Sequence, residues 1–180
     1  FFIFSLLAFL AAMGYMDILK YMVASDYWEG LSVVAIVMLA EIIKGIYFNL
    51  SFWYKLTDET YWGAYFSLIG CAVILGLNIW LVPTYGYVAS AWASVAGYGV
   101  ITLLSYFIGQ KKYPVAYPLK RMTTYLILAL VLYVLSQQTP IANLWLRLSY
   151  RTLLILVFVA FIIKKDLPLR SLPFVNHFFK

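Results

Sequence analysis

The segment from residue 77 to residue 94 restricts the fold more than any other part of the chain. An apolar stretch ends at Pro83, a polar turn containing Gly86 follows, and a second apolar stretch then begins with closely spaced small residues. A membrane-spanning helix needs about 20 mostly apolar residues, because each residue adds about 1.5 Å across a hydrocarbon layer of roughly 30 Å. We therefore predict a membrane hairpin, in which one helix crosses the membrane, a short turn follows, and a second helix crosses back.

The composition extends this prediction to the whole chain. Hydrophobic residues make up 65% of the 180 residues and charged residues only 11%, whereas a soluble domain averages about 45–50% apolar and about 25% charged residues. Within a bilayer only helices and closed barrels satisfy every backbone polar group, and barrel strands alternate apolar with polar residues. The apolar runs here are continuous, which predicts an all-α polytopic transmembrane helix bundle.

The apolar runs predict six spans. Their predicted ranges are residues 1–19, 31–54, 61–82, 88–107, 122–135 and 144–163. The fifth run is short, and Glu41 and Lys44 interrupt the second. A charged residue at the centre of a spanning helix costs about 2.5–3.5 kcal/mol on insertion scales. We predict a full span there, and the alternatives are a re-entrant segment or a break at Gly45.

Basic residues predict the orientation, because cytoplasmic loops are enriched in lysine and arginine. With six spans, one side holds Lys55, Lys111, Lys112, Lys120, Arg121, Lys164, Lys165, Arg170 and Lys180, and the other holds Lys20, Arg147 and Arg151. Both ends of the chain are therefore predicted to be cytoplasmic. The net charge of +6 is attributed to these topology signals and not to nucleic-acid binding. The predicted aromatic belt at the span ends consists of Trp28, Trp53, Trp62, Trp80, Trp92 and Trp145.

Small residues recur every fourth position in the two helices of the hairpin. These residues are Gly63, Ser67 and Cys71 in the first helix and Ala89, Ala93 and Gly97 in the second. Small side chains at this spacing allow two helix backbones to approach closely. We predict that both stripes pack between helices, and the alternative is a face that bends during transport, with Gly97 and Gly99 as the hinge.

Three polar residues of the second span are the candidate site. Glu41 and Lys44 lie three residues apart and so share a helix face, and Asn49 extends that face. A polar contact in a water-filled cavity is one interpretation, and a self-neutralising or snorkelling pair is the other. The single histidine, His177, lies in the tail and has no partner for metal binding or catalysis. We therefore predict no metal, no cofactor and no enzymatic activity.

The hairpin sequence also resembles a known family. It reads Leu77-Asn-Ile-Trp-Leu-Val-Pro-Thr-Tyr-Gly86, followed by Tyr87-Val-Ala-Ser-Ala-Trp-Ala-Ser94. This resembles the "N-x-x-L-[IV]-P-x-[YF]-G" and "xxGAAxAT" stretches of Wzx-type polysaccharide-unit flippases, within the multidrug/oligosaccharidyl-lipid/polysaccharide exporter superfamily. The short loop at residues 26–30, the polar loop at residues 55–59 and the basic pair Lys111-Lys112 add to the resemblance. Val88-Ala89 and Ser94 depart from the family pattern and keep small or β-branched character.

The resemblance implies that the chain is the C-terminal part of a 12- to 14-helix flippase, cut within or before a helix. Residues 1–110 would belong to the C-terminal lobe, residues 111–165 would form two additional spans, and residues 166–180 would be a cytoplasmic tail. The implied location is the bacterial cytoplasmic (inner) membrane. The implied substrate is a polyprenyl-linked oligosaccharide of O-antigen, capsule or lipopolysaccharide synthesis, with membrane lipid, glycan polymerase and glycosyltransferases as partners. The alternatives are a multidrug exporter, a lipid II flippase and a membrane-embedded enzyme of glycan assembly.

Overall fold

The computed structural model describes residues 1–138 and 143–166 and is all-helical, without strands, over those residues. Two 3₁₀ segments, Lys20–Met22 and Ser25–Val33, lead into the third α-helix. The α-helices are α1 (Phe2–Gly14), α2 (Met16–Leu19), α3 (Val34–Leu50), α4 (Phe52–Leu56), α5 (Tyr61–Tyr85), α6 (Tyr87–Lys112), α7 (Leu119–Gln138) and α8 (Leu144–Asp166). The predicted tail after Asp166, with His177, lies outside the described residues.

Four helices of the described chain are long and apolar enough to cross a membrane, and a fifth span is present if one bent pair is counted. The four are Ser25–Leu56, Tyr61–Tyr85, Tyr87–Lys112 and Leu144–Lys165, and the bent pair is Phe2–Gly14 with Met16–Met22, at 60°. The all-helical class is therefore confirmed over the described residues, with four to five candidate membrane spans where six were predicted. The predicted fifth span corresponds to α7, in which Lys120, Arg121, Gln137 and Gln138 shorten the apolar part, and its crossing stays a prediction.

The second predicted span is one continuous helical segment, Ser25–Leu56, and it runs through Glu41, Lys44 and Gly45 without a break. The predicted end of the next helix before Pro83 is wrong, because α5 includes Pro83 and continues to Tyr85. Pro83 lies in the last turn of α5, so the hydrogen bond that it removes and the crowding by its ring affect only the end of the helix. The hairpin turns instead at Gly86, whose φ of +62° is favourable for glycine.

Contacts divide the chain into two compact units. The first unit is Phe1–Ser5 with Val23–Leu119, and the second is Leu6–Met22 with Lys120–Lys180. Most of α1 thus packs with the C-terminal helices. The assignment of residues 1–110 and 111–165 to parts of a flippase stays a prediction.

In the first unit, α5 and α6 pack as an antiparallel pair. Ala89, Ala93 and Gly97 are buried, which confirms the predicted stripe on α6. The stripe on α5 was predicted wrongly at Ser67 and Cys71, which are exposed, because the helix buries Phe66 and Gly70 instead. Gly63, the third member of that stripe, is partly buried. Both sets recur every fourth residue, so spacing alone did not identify the face that meets α6.

An aromatic core joins α3, α4, α5 and α6 at one end of this unit. It contains Tyr47, Trp53, Tyr54, Phe66 and Ile101. Trp53 is 3% exposed and its Nε1 donates to Oγ of Ser105 at 3.2 Å. The prediction of Trp53 as an interfacial belt residue is therefore wrong. Gly109 makes room for the indole, because a Cβ there would lie 2.7 Å from Cδ1 of Trp53.

An ion pair links the loop before α5 to the end of α6. The Glu59 carboxylate accepts hydrogen bonds from Nζ of Lys112 and from Nε1 of Trp62, the latter at 3.0 Å. The Lys112 ammonium holds the pKa of the Glu59 carboxyl below its usual value. The lysine also lies over the Trp62 ring, 5.2 Å from its centroid. These contacts fix the end of the helix pair on the side predicted to be cytoplasmic.

The second unit packs α1, α7 and α8 around aromatic side chains. Phe158 is fully buried, and the rings of Phe9 and Tyr133 lie 5.3 Å apart. At the end of α1 the hydroxyls of Tyr15 and Thr152 are 2.8 Å apart, which ties the bend after Gly14 to α8.

Candidate functional site

A cavity of about 380 Å³ lies between α3, α5 and α6, entirely within the first unit. Its walls are mostly apolar. Ser67, Gly70 and Cys71 form part of the α5 wall, and their small side chains leave the space that larger residues would fill. Two of the small residues that the sequence assigned to helix packing therefore line a cavity.

Lys44 is the charged residue in the cavity wall. Its Nζ lies 3.3 and 3.4 Å from the two carboxylate oxygens of Glu41 and 5.3 Å from the ring centroid of Tyr98. The Lys44 side chain is 34% exposed and the Glu41 side chain 57% exposed. The ammonium is thus shared between a carboxylate outside the cavity lining and an aromatic ring within it. The geometry accommodates both the ion-pair and the cavity interpretations of the pair.

Asn49 is not brought to the cavity. Its Nδ2 donates to the carbonyl oxygen of Gly45, one turn earlier in α3, at 2.9 Å. Asn78 makes the same kind of bond to the carbonyl oxygen of Ile74 at 2.7 Å. In both cases the side-chain amide donates to a backbone carbonyl four residues earlier in its own helix.

Two tyrosines that the sequence did not single out complete the polar part of the wall. Tyr47 and Tyr98 line the cavity from α3 and α6, and the Tyr47 hydroxyl lies 3.4 Å from that of Tyr54. Oγ1 of Thr102 contacts the carbonyl oxygens of Ile43 and Tyr98, at 3.3 and 2.6 Å, which fixes α6 against α3. Among 16 tyrosines, sequence position carried no signal that separated these two from lipid-facing ones.

The arrangement suits binding of an amphipathic molecule. One ammonium, two phenols, a hydroxyl and a thiol stand among apolar side chains. An ammonium attracts phosphate or carboxylate groups, and aromatic rings provide flat faces for apolar contact. Over residues 1–138 and 143–166, no group of three His, Cys, Asp or Glu side chains is placed to hold a metal ion.

Comparison of the chain with protein-family models, curated proteins and solved structures finds no match. The resemblance to polysaccharide-unit flippases therefore depends on the hairpin and its flanking loops. Of those parts, α5, Gly86 and α6 are helix, turn and helix in the structure, and both helices contribute to the cavity wall.

Proposed function

We propose that the protein translocates lipid-linked oligosaccharide across the bacterial cytoplasmic membrane during surface polysaccharide synthesis, as the C-terminal part of a flippase. The observation that supports this most is the cavity between α3, α5 and α6. The hairpin that carries the family resemblance forms two of its three walls, and Lys44, one member of the charged pair predicted from the sequence, lines the third.

The chemistry of the cavity matches a substrate with a charged head and an apolar tail. Lys44 offers a cation to a phosphate, and Tyr98 beneath it offers a ring against which a sugar or an isoprenoid unit packs. Glu41 neutralises Lys44 when no substrate is present, which lowers the cost of a lysine in a membrane span. When substrate binds, its phosphate replaces the Glu41 carboxylate as the anionic partner of Lys44.

The proposed transport step involves no covalent chemistry. The oligosaccharide head crosses in a hydrated cavity between two lobes while the polyprenyl tail stays in the bilayer. Rocking of one lobe against the other exposes the site alternately to each side of the membrane, as in transporters generally. Glycosyltransferases supply the substrate on the cytoplasmic face, and a glycan polymerase consumes it on the outer face.

Hydration of the cavity is testable through Cys71, the single cysteine of the chain. A thiol reacts with maleimide as the thiolate, which forms only in contact with water. We expect a water-soluble maleimide to label Cys71 in membranes, and we expect added lipid-linked oligosaccharide to slow this labelling. Mass spectrometry of the intact protein measures the labelled fraction over time.

Ile69 provides a matched control, because it lies two residues away on α5, is 39% exposed and does not line the cavity. In the variant Cys71→Ser with Ile69→Cys, the new thiol is expected to face lipid and to stay unlabelled. Equal labelling at both positions, or no labelling at Cys71, would mean that the cavity is not a hydrated path.

Two double variants of Glu41 and Lys44 test whether this ion pair takes part in transport. Glu41→Ala with Lys44→Ala is expected to lower export of surface glycan about tenfold, because a charge-assisted hydrogen bond is worth about 1.5–3 kcal/mol. Glu41→Lys with Lys44→Glu keeps an ion pair but places a carboxylate at the cavity wall, so export should fall as much. Surface polysaccharide is quantified in cells with matched protein levels. Normal export by the exchanged pair would assign it a structural role, and normal export by both variants would remove it from the mechanism.

The mostly apolar lining also favours a second candidate, a multidrug exporter of the same superfamily. Apolar walls with one charged residue accept many lipophilic ions. Altered drug sensitivity with normal surface glycan, on loss of the gene, distinguishes this candidate from the flippase.

A further inference from the structure

Two arginines and one aspartate meet in the second unit, at the bend that follows α1. Oδ2 of Asp17 lies 2.8 Å from Nη1 of Arg151 and 2.9 Å from Nε of Arg147. Nη1 of Arg151 also donates to the carbonyl oxygen of Gly14, the last residue of α1, at 3.1 Å. We call Asp17, Arg147 and Arg151 the arginine cluster. It carries two positive charges and one negative charge.

The surroundings add to the positive potential of the arginine cluster. Arg147 and Arg151 stand in the first two turns of α8, a helix of 23 residues. The N-terminal end of a helix carries a partial positive charge, because its first backbone N–H groups have no partner within the helix. The side chain of Trp145, in the same first turn, is 78% exposed.

The cluster also has unused hydrogen-bonding capacity. Arg151 is only 7% exposed, and its Nε has no hydrogen-bond partner among the described residues. Nε of Arg147 lies 2.9 Å from Oδ2 of Asp17 but makes no aligned hydrogen bond to any of the described residues. The Arg147 side chain is 30% exposed, although its Nε atom is itself buried.

We propose that the arginine cluster binds the phosphate group of an anionic membrane lipid, with Arg147 as the main contact. An unbalanced positive charge in a spanning helix requires a counter-ion, because its desolvation is costly. The planar guanidinium matches the geometry of phosphate oxygens. The candidate span starts at Leu144, so Arg147 lies near the end of the span, where headgroup phosphates are concentrated. This inference does not depend on the proposed transport function.

Native mass spectrometry of the detergent-solubilised protein, titrated with phosphatidylglycerol, tests the proposal. We expect one tightly retained lipid in the wild type and an affinity about tenfold lower in Arg147→Gln, because a hydrogen bond between charged groups is lost. Arg147→Lys keeps the charge and should retain most of the affinity. Phosphatidylcholine, which has a phosphate but no net charge, should bind less tightly than phosphatidylglycerol.

Lys164→Gln is the matched control, because it removes one positive charge from an exposed residue at the other end of α8. It should bind phosphatidylglycerol as the wild type does. Equal losses in Arg147→Gln and Lys164→Gln would indicate general charge attraction and overturn the proposal, as would unchanged binding in Arg147→Gln. Displacement of the lipid by millimolar inorganic phosphate would also overturn it, because the site would then bind a free anion. Circular dichroism spectra that match the wild type confirm that each variant is folded.

Discussion

Replacing Gly97 with leucine is expected to destabilise the first unit by about 3 kcal/mol. A Cβ at this position would lie 2.3 Å from Cγ1 of Ile74 and 3.3 Å from the backbone oxygen of Gly70. The Ile74 side chain can shift but the α5 backbone cannot, so α5 and α6 must move apart. Overpacking of this kind costs about 1–3 kcal/mol, and leucine adds three further carbon atoms beyond Cβ. The free energy of unfolding is measured by SDS titration of the protein in micelles.

Gly99→Leu provides the control for this prediction. Gly99 is two residues further along the same helix, and a Cβ there would meet nothing within 4 Å. The same substitution should leave the free energy of unfolding unchanged or raise it slightly, since leucine favours helix over glycine by up to about 1 kcal/mol. Equal destabilisation by both substitutions would contradict the antiparallel packing of α5 and α6.

Replacing Asp17 with asparagine is expected to cost about 3 kcal/mol in the second unit. The change leaves Arg147 and Arg151 without a negative partner, and Arg151 is 7% exposed. Removal of one partner from a buried ion pair typically costs about 3–5 kcal/mol, because the remaining charge stays buried. Asp17 is itself 22% exposed, which places the expected loss at the lower end of that range. The same SDS titration, followed by far-ultraviolet circular dichroism, measures it.

Asp26→Asn is the control for the charge change. Asp26 is exposed, and its Oδ1 accepts a long hydrogen bond of 3.4 Å from Oγ of Ser25. Its replacement should change the free energy of unfolding by less than about 0.5 kcal/mol. A similar loss in the two variants would mean that the arginine cluster has no special role in stability.

The hairpin could be predicted from the sequence because its signals are local. Apolar length gives each helix, and Gly86 supplies the positive φ at the turn. The face of α5 that meets α6 could not be predicted, since Phe66 and Gly70 recur at the same interval as Ser67 and Cys71. The spacing shows that residues on α5 form stripes along the helix. Side-chain fit against the neighbouring helix decides which of these stripes is buried.

The candidate site was predictable only in part, for a similar reason. Glu41 and Lys44 lie within one helical turn, so their pairing follows from spacing. The position of the Lys44 ammonium over the Tyr98 ring depends on how α6 is placed against α3, which no local pattern encodes. The arginine cluster joins residues 134 positions apart in sequence, Asp17 and Arg151. From the sequence, Arg147 and Arg151 served only as orientation charges, and Asp17 was not singled out.

Deletion of the gene in its host tests the central claim most directly. Surface polysaccharide and the polyprenyl-linked repeat units are measured in the deletion strain, together with the leaflet that holds those units. The flippase account predicts loss of surface glycan, with repeat units accumulated on the cytoplasmic face, and recovery when the gene is returned. Normal surface glycan, or repeat units already on the outer face, would contradict it.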